Sequence, residues 1–129
     1  MDNTGPKYFS NPDDLAEYVI ERMGIQINVG MVLGLGKPNH IANALFKKAV
    51  ENPAINLKIL TAISLEKPSW SSELERRFMQ PLVERVWEGY VDLDYIAAVR
   101  KKKLPKNIAV SEFFYKAGGF LGNTHMQQN

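Results

Sequence analysis

The sequence predicts an α/β fold built on a parallel sheet. Two short apolar runs with strand-like alternation bracket an amphipathic helical stretch, which is the pattern of a βαβ unit. A third β-rich run follows a further pair of helical segments. The chain has 129 residues, with 45% apolar and 23% charged, an ordinary balance for a single domain able to bury its own core.

The first element expected is a leading helix within residues 1–24. Asn11 offers a capping side chain just before Pro12, and Asp13 and Asp14 put negative charge in the first turn, where the helix dipole favours it. Leu15, Tyr18, Val19 and Met23 fall on one face, and Gly24 supplies a stop in the left-handed conformation. Residues 25–129 should then carry the sheet. Ile25, Ile27, Val29, Met31 and Leu33 alternate, and Val32 adds an apolar residue on the second face, as expected of a strand covered on both sides.

That strand runs into Gly34-Leu35-Gly36-Lys37-Pro38-Asn39. The next helix is marked by Ile41, Ala42, Leu45, Phe46, Ala49 and Val50, and it ends at Asn52-Pro53. Residues 57–65 form the second strand, parallel to the first. Ser72 and Glu75 have the spacing of a capping box, opening a helix that Pro81 breaks or restarts before Leu82, Val83, Val86 and Trp87. Asp92 is the expected cap of a helix through Ile96 and Val99. Residues 108–115 are the third strand, with irregular chain at Gly118-Gly119 and Gly122-Asn123. A three-stranded parallel sheet should leave long edges and an uncovered face, so the physical expectation is that further chain or a second copy covers them.

Several function classes are disfavoured. Without cysteine there is neither a disulfide framework nor a thiolate metal site, and His40 and His125 are not spaced as a metal pair. No apolar run approaches a membrane span, and residues 1–10 lack a signal core. A soluble cytoplasmic protein is therefore expected, with no membrane partner. A net charge of +2 is too small to imply a nucleic-acid partner by itself, and none is expected.

Three groups of residues could carry chemistry. The glycine loop lies where parallel sheets bind ligands, at the carboxyl end of a strand and the start of a helix. Gly34 and Gly36 would let backbone approach a ligand, Lys37 would add a mobile positive charge, and Pro38 would set the helix start. The spacing matches neither the dinucleotide fingerprint nor the Walker loop, and a plain tight turn is the competing reading. The second group is the basic run Arg100, Lys101, Lys102, Lys103 and Lys106. It could receive phosphates, or simply serve a solvated helix end. The third is Glu66 and Glu112, carboxylates at or near strand ends with no obvious catalytic partner in sequence.

Taken together, the sequence resembles the acetyl-CoA hydrolase and CoA-transferase family, including acetate and 4-hydroxybutyrate CoA-transferases. The resembling blocks are residues 32–40, 61–68, 74–78, 90–95, 104–108 and 112–114, in order over roughly residues 25–129. The resemblance implies a fold of two similar α/β domains. It also implies an acyl-CoA and a small carboxylate as substrates, no permanently bound cofactor, and a glutamate that attacks the thioester. That glutamate belongs to the family's second domain, and no position here matches its motif. The loop from Gly34 to Pro38 resembles the first-domain loop bordering the acyl-CoA site. The chain is accordingly expected to be inactive alone and to need a C-terminal portion or a homo-oligomeric partner. A non-catalytic binding module and a sugar-phosphate enzyme on a related fold are the alternatives.

Overall fold

A computed structural model describes residues 5–114. The elements are α1 (Pro12–Met23), β1 (Gln26–Gly30), α2 (Asn39–Glu51), β2 (Asn56–Thr61), α3 (Glu73–Val86), α4 (Asp94–Arg100) and β3 (Ile108–Glu112). A single 3-10 turn, Gly34–Gly36, lies between β1 and α2. The three strands are parallel in the order β1-β2-β3, with Ile27 opposite Leu57 and Leu57 opposite Ile108. The expected α/β architecture with a parallel sheet is present. The irregular stretch at Gly118-Gly119 and Gly122-Asn123, and His125, lie outside the described residues.

One face of the sheet carries the core. Ile27, Leu57, Ile59 and Ile108 are buried with Ala42, Leu45, Phe46 and Ala49 of α2, Ala16 of α1 and Tyr95 of α4. α1 packs on α2 and β1, while α2 packs on β2, β3 and α4. The opposite face presents Gln26, Asn28, Gly30, Lys58, Leu60, Ala109 and Ser111, all exposed. The expectation of a first strand covered on both sides is therefore corrected, and Val32 is 60% exposed. The reason lies in the strand order. Parallel crossovers are right-handed, so two that advance in the same direction leave their helices on the same side. The alternation of polar and apolar residues in β2 fits that one-sided cover.

Local chemistry explains the element ends. Asn11 Oδ1 accepts from Asp13 N at 2.9 Å, as expected of the α1 cap. Gly24 has φ +76° but ψ −163°, so the stop uses glycine's freedom without being a left-handed helical residue. Ser72 Oγ accepts from Glu75 N at 3.2 Å, which is half of the expected capping box; the Glu75 carboxylate reaches back to Ser71 rather than to Ser72. Pro81 neither breaks nor restarts the helix, since α3 runs through it. α3 buries none of its residues, and Leu74 and Phe78 are among the most exposed apolar side chains. On such a surface helix the carbonyl four residues before the proline, which loses its donor, can turn to solvent.

Asp92 is not the cap of α4. The N-cap position is Leu93, and the orphan amide of Asp94 is satisfied by Asn43 Oδ1 of α2 at 3.0 Å. Asn43 Nδ2 also donates to Asp92 O at 2.8 Å, while the Asp92 carboxylate accepts from Lys67 N at 2.9 Å. α4 ends in a Schellman arrangement. Lys103 N donates to Ala98 O at 2.9 Å and Lys102 N to Val99 O at 3.0 Å, with Lys102 at φ +53°. Much of the basic run is thus the closing turn of a helix, with Lys101, Lys102 and Lys103 exposed.

Candidate functional site

All three strands end at one edge, where the loops after β1 and β2 meet the end of β3. The glycine loop lies there as expected. Gly34 has φ +63°, a conformation that strains any side chain, and a Cβ added at Gly36 would come within 3.2 Å of Val32 Cγ2. Pro38 is the N-cap residue of α2 and its carbonyl accepts from Ala42 N at 3.1 Å.

Lys37 is not the mobile charge the sequence suggests. It is only 7% exposed, and its Nζ donates to Val32 O at 2.8 Å, Ala62 O at 2.5 Å and Ile63 O at 3.2 Å. The ammonium is a rivet between the ends of β1 and β2. Its three protons meet three carbonyls, the full donor capacity of the group. Burial pushes its pKa below the usual lysine value, and the nearby Glu112 carboxylate partly opposes that shift.

The carbonyls that Lys37 gathers belong to a turn that other elements also hold. Gly34 N donates to Ile63 O at 3.1 Å. Ser64 N donates to the Glu112 carboxylate at the end of β3. Ser64 Oγ shares a hydrogen bond of 2.8 Å with the Tyr95 hydroxyl, and Tyr90 OH donates to Leu65 O at 2.7 Å. Glu66 pairs with Arg100 of α4. These contacts also explain the short β2: the expected strand 57–65 ends at Thr61 because the carbonyls of Ala62 and Ile63 turn toward Lys37. The expected strands 25–33 and 108–115 likewise end at Gly30 and Glu112, where loop bonding takes over.

Between this turn and α4 lies a hollow of about 280 Å³, lined by Ser64, Tyr95, Ile96, Val99, Arg100, Val110 and Glu112. Tyr95 is 1% exposed, and burial raises its pKa, so its hydroxyl stays a neutral hydrogen-bonding group. Both carboxylates singled out in the sequence thus reach the same edge. Glu112 faces the hollow, and Glu66 is tied to Arg100, which lines it. The partners missing from their sequence neighbourhoods are Ser64, Tyr95 and Arg100, contributed by other elements.

A second, larger groove of about 550 Å³ lies on the other side of the glycine loop. It is lined by Leu35, Lys37, Pro38, Asn39 and His40, together with residues of the α1 start and of the turn at Gly89 and Tyr90. His40 is exposed at its rim, at the start of α2. Asn39 is 6% exposed; its Nδ2 donates to Val91 O at 2.6 Å, and its Oδ1 is buried without a hydrogen-bond partner among the described residues. The sequence pointed to Asn39 only as the end of the glycine-loop motif, and it assigned no site role to Asn43 or Ser64. Asn39 opens α2, Asn43 lies a turn inside it, and Ser64 follows the exit of β2.

Among the described residues no group of acidic or histidine side chains is arranged to hold a metal ion, and no helix is long and apolar enough to cross a membrane. No protein-family profile, curated protein or solved structure matches the chain.

Proposed function

We propose that this chain is part of an enzyme acting on acyl-CoA thioesters, transferring CoA between carboxylic acids such as acetate or hydrolysing acetyl-CoA. The carrying observation is convergence. The resemblance rests on separate blocks of sequence, and four of them meet at one edge of the sheet. Block 32–40 brings Gly34 and Lys37, block 61–68 brings the turn they grip, block 90–95 brings Tyr90 and Tyr95, and block 112–114 brings Glu112. The parallel sheet brings the ends of its strands to one edge, the place where such sheets bind ligands, and the resembling blocks supply the polar groups found there.

The chemistry available there is binding and polarisation. Beside the glycine loop, the start of α2 offers the positive end of a helix dipole to a thioester oxygen or a carboxylate. Lys37 contributes shape and field from inside the fold rather than direct contact. The attacking carboxylate of the resembling enzymes has no counterpart here. The proposal therefore assigns this chain the substrate-holding half of the reaction and leaves the nucleophile to a C-terminal portion or a partner subunit.

Calorimetric titration of the purified chain with CoA, acetyl-CoA and acetate tests this, alongside a thioester hydrolysis assay. The expected result is saturable binding of CoA or acetyl-CoA with no turnover. Failure to bind either, with binding of a sugar phosphate instead, would overturn the thioester reading in favour of a sugar-phosphate site. Turnover abolished by Glu66→Gln or Glu112→Gln would overturn the division of labour.

A further inference from the structure

The turn after β2 contains a strained residue whose apolar side chain is half exposed. Ile63 has φ +45°. That left-handed region is unfavourable for every side chain and most of all for a β-branched one, which is why glycine or asparagine normally takes such positions. The other described non-glycine residue with positive φ, Lys102, has an evident reason, since it closes a helix.

The bonds around Ile63 explain how the strain is held but not why the residue is isoleucine. Lys37 Nζ and Gly34 N both donate to its carbonyl, Lys37 also grips Ala62 O, and Glu112 and Tyr95 fix Ser64 on the other side. Every one of these contacts involves backbone or neighbouring residues. A glycine would make them all with less strain. Burial offers only partial compensation, because Ile63 is 53% exposed. A strained backbone held by many independent contacts, carrying an apolar side chain outward, is a pattern found where that side chain meets a ligand. The glycine loop bonded to it also exposes apolar side chains, Leu33 and Leu35. Exposed apolar groups gathered at the carboxyl edge of a parallel sheet suit an apolar part of a ligand.

We propose that Ile63 is a specificity-determining residue. Its side chain contacts the acyl group of the bound thioester, and its bulk limits the length of acyl chain accepted. This rests on the acyl-CoA reading above.

The test compares the chain with Ile63→Ala, Ile63→Asn and Ile63→Gly, measuring calorimetric affinities for CoA, acetyl-CoA, butyryl-CoA and hexanoyl-CoA and the melting temperature of each. Trimming the side chain should raise the ratio of butyryl-CoA to acetyl-CoA affinity by about tenfold, the usual size of effect for an apolar pocket contact. Affinity for CoA itself should stay within about twofold, because CoA lacks the acyl group. Ile63→Gly and Ile63→Asn should melt at or above the parent temperature, since both relieve the left-handed strain. An unchanged chain-length ratio in all three variants, with CoA still bound, would overturn the assignment of Ile63 and leave the acyl-CoA reading standing. A marked loss of melting temperature in Ile63→Gly would also overturn it, by showing that the side chain serves the fold. If the parent chain binds neither CoA nor any thioester, the acyl-CoA reading fails and this assignment with it.

Discussion

Replacing Lys37 by methionine isolates the ammonium from the stem that carries it. Methionine fills the same narrow channel with apolar atoms and removes three hydrogen bonds at once. The three acceptors do not suffer equally. Ile63 O keeps the bond from Gly34 N, and Val32 O is within 3.5 Å of Thr61 Oγ1. The bond to Ala62 O is the fully buried one, and no other donor to that oxygen is seen among the described residues. A buried acceptor stripped of its donor costs about 1–3 kcal/mol. The two less buried bonds add about 1 kcal/mol together, because water can partly replace them. Against this, the folded state no longer desolvates a charged amine, which returns about 1–2 kcal/mol. The net loss should be about 1.5 kcal/mol, or a fall of about 5–9 °C in melting temperature for a chain of this size. Lys47→Met is the control: it lies on α2, the helix that follows Lys37, is exposed, and has only a loose ion pair to Asp13 at 3.8 Å. It should change stability by less than about 0.5 kcal/mol. Urea unfolding followed by tryptophan fluorescence and far-UV circular dichroism measures both. If Lys37→Met unfolds at the same urea concentration as the parent, the three carbonyls do not depend on the ammonium and the rivet argument fails.

Three further outcomes follow from the same contacts. Lys102→Gly should stabilise the chain by about 0.5–1 kcal/mol in urea unfolding, because glycine suits the left-handed C′ position of α4; a loss would mean the lysine side chain serves the fold. Asn107→Ala should cost about 2–3 kcal/mol by the same measurement, since Asn107 Nδ2 donates to both Ala49 O and Ile55 O at 2.8 Å and joins the start of β3 to the end of α2; a change within error would mean that water replaces both bonds. The Lys37 amine is held below its ordinary value when folded, so between that depressed value and about 10.5 the unfolded chain binds the proton that the folded chain has released, and stability gained from this group should rise with pH. Measured as the difference between the parent and Lys37→Met, a fall over that window would show that the charged bonds outweigh the desolvation.

Patterns confined to a few residues were readable from the sequence, and patterns set by distant elements were not. The Asn11 cap, the β-α-β alternation and the glycine loop are local, and each stands where composition and periodicity put it. Lys37 misled because a lysine next to a glycine loop is ordinarily solvated; only the bend of residues 62 and 63, some 25 positions away, creates a cage that takes it in. Asn43 capping α4 is of the same kind, since its partner amide is 51 residues distant. The uncovered sheet face was half legible. Strand count alone predicted exposure, but which face is open depends on strand order. The open face also proves to be largely polar or small, with Leu60 as its large apolar residue, so it gives a weaker drive to self-association than an apolar face would.

The position of the ammonium also bears on how such an edge can handle a negatively charged ligand. A solvent-exposed lysine would bind carboxylate or phosphate directly, with a strength screened by salt. Lys37 instead has all its donors occupied by carbonyls. Its charge still acts, because a buried charge is less screened than an exposed one. Glu112, placed beside the same turn, partly balances that field, as its opposing effect on the Lys37 pKa indicates. The edge therefore combines an internal cation, a carboxylate at its rim and the amino end of α2. A ligand bound there would meet a fixed field with little rearrangement, and removing Lys37 would alter both the shape of the turn and the field across it. Binding by a Lys37→Met variant should thus weaken even at salt concentrations that abolish exposed ion pairs. A loss that vanishes at high salt would instead mark Lys37 as a direct, solvent-exposed contact in the bound state.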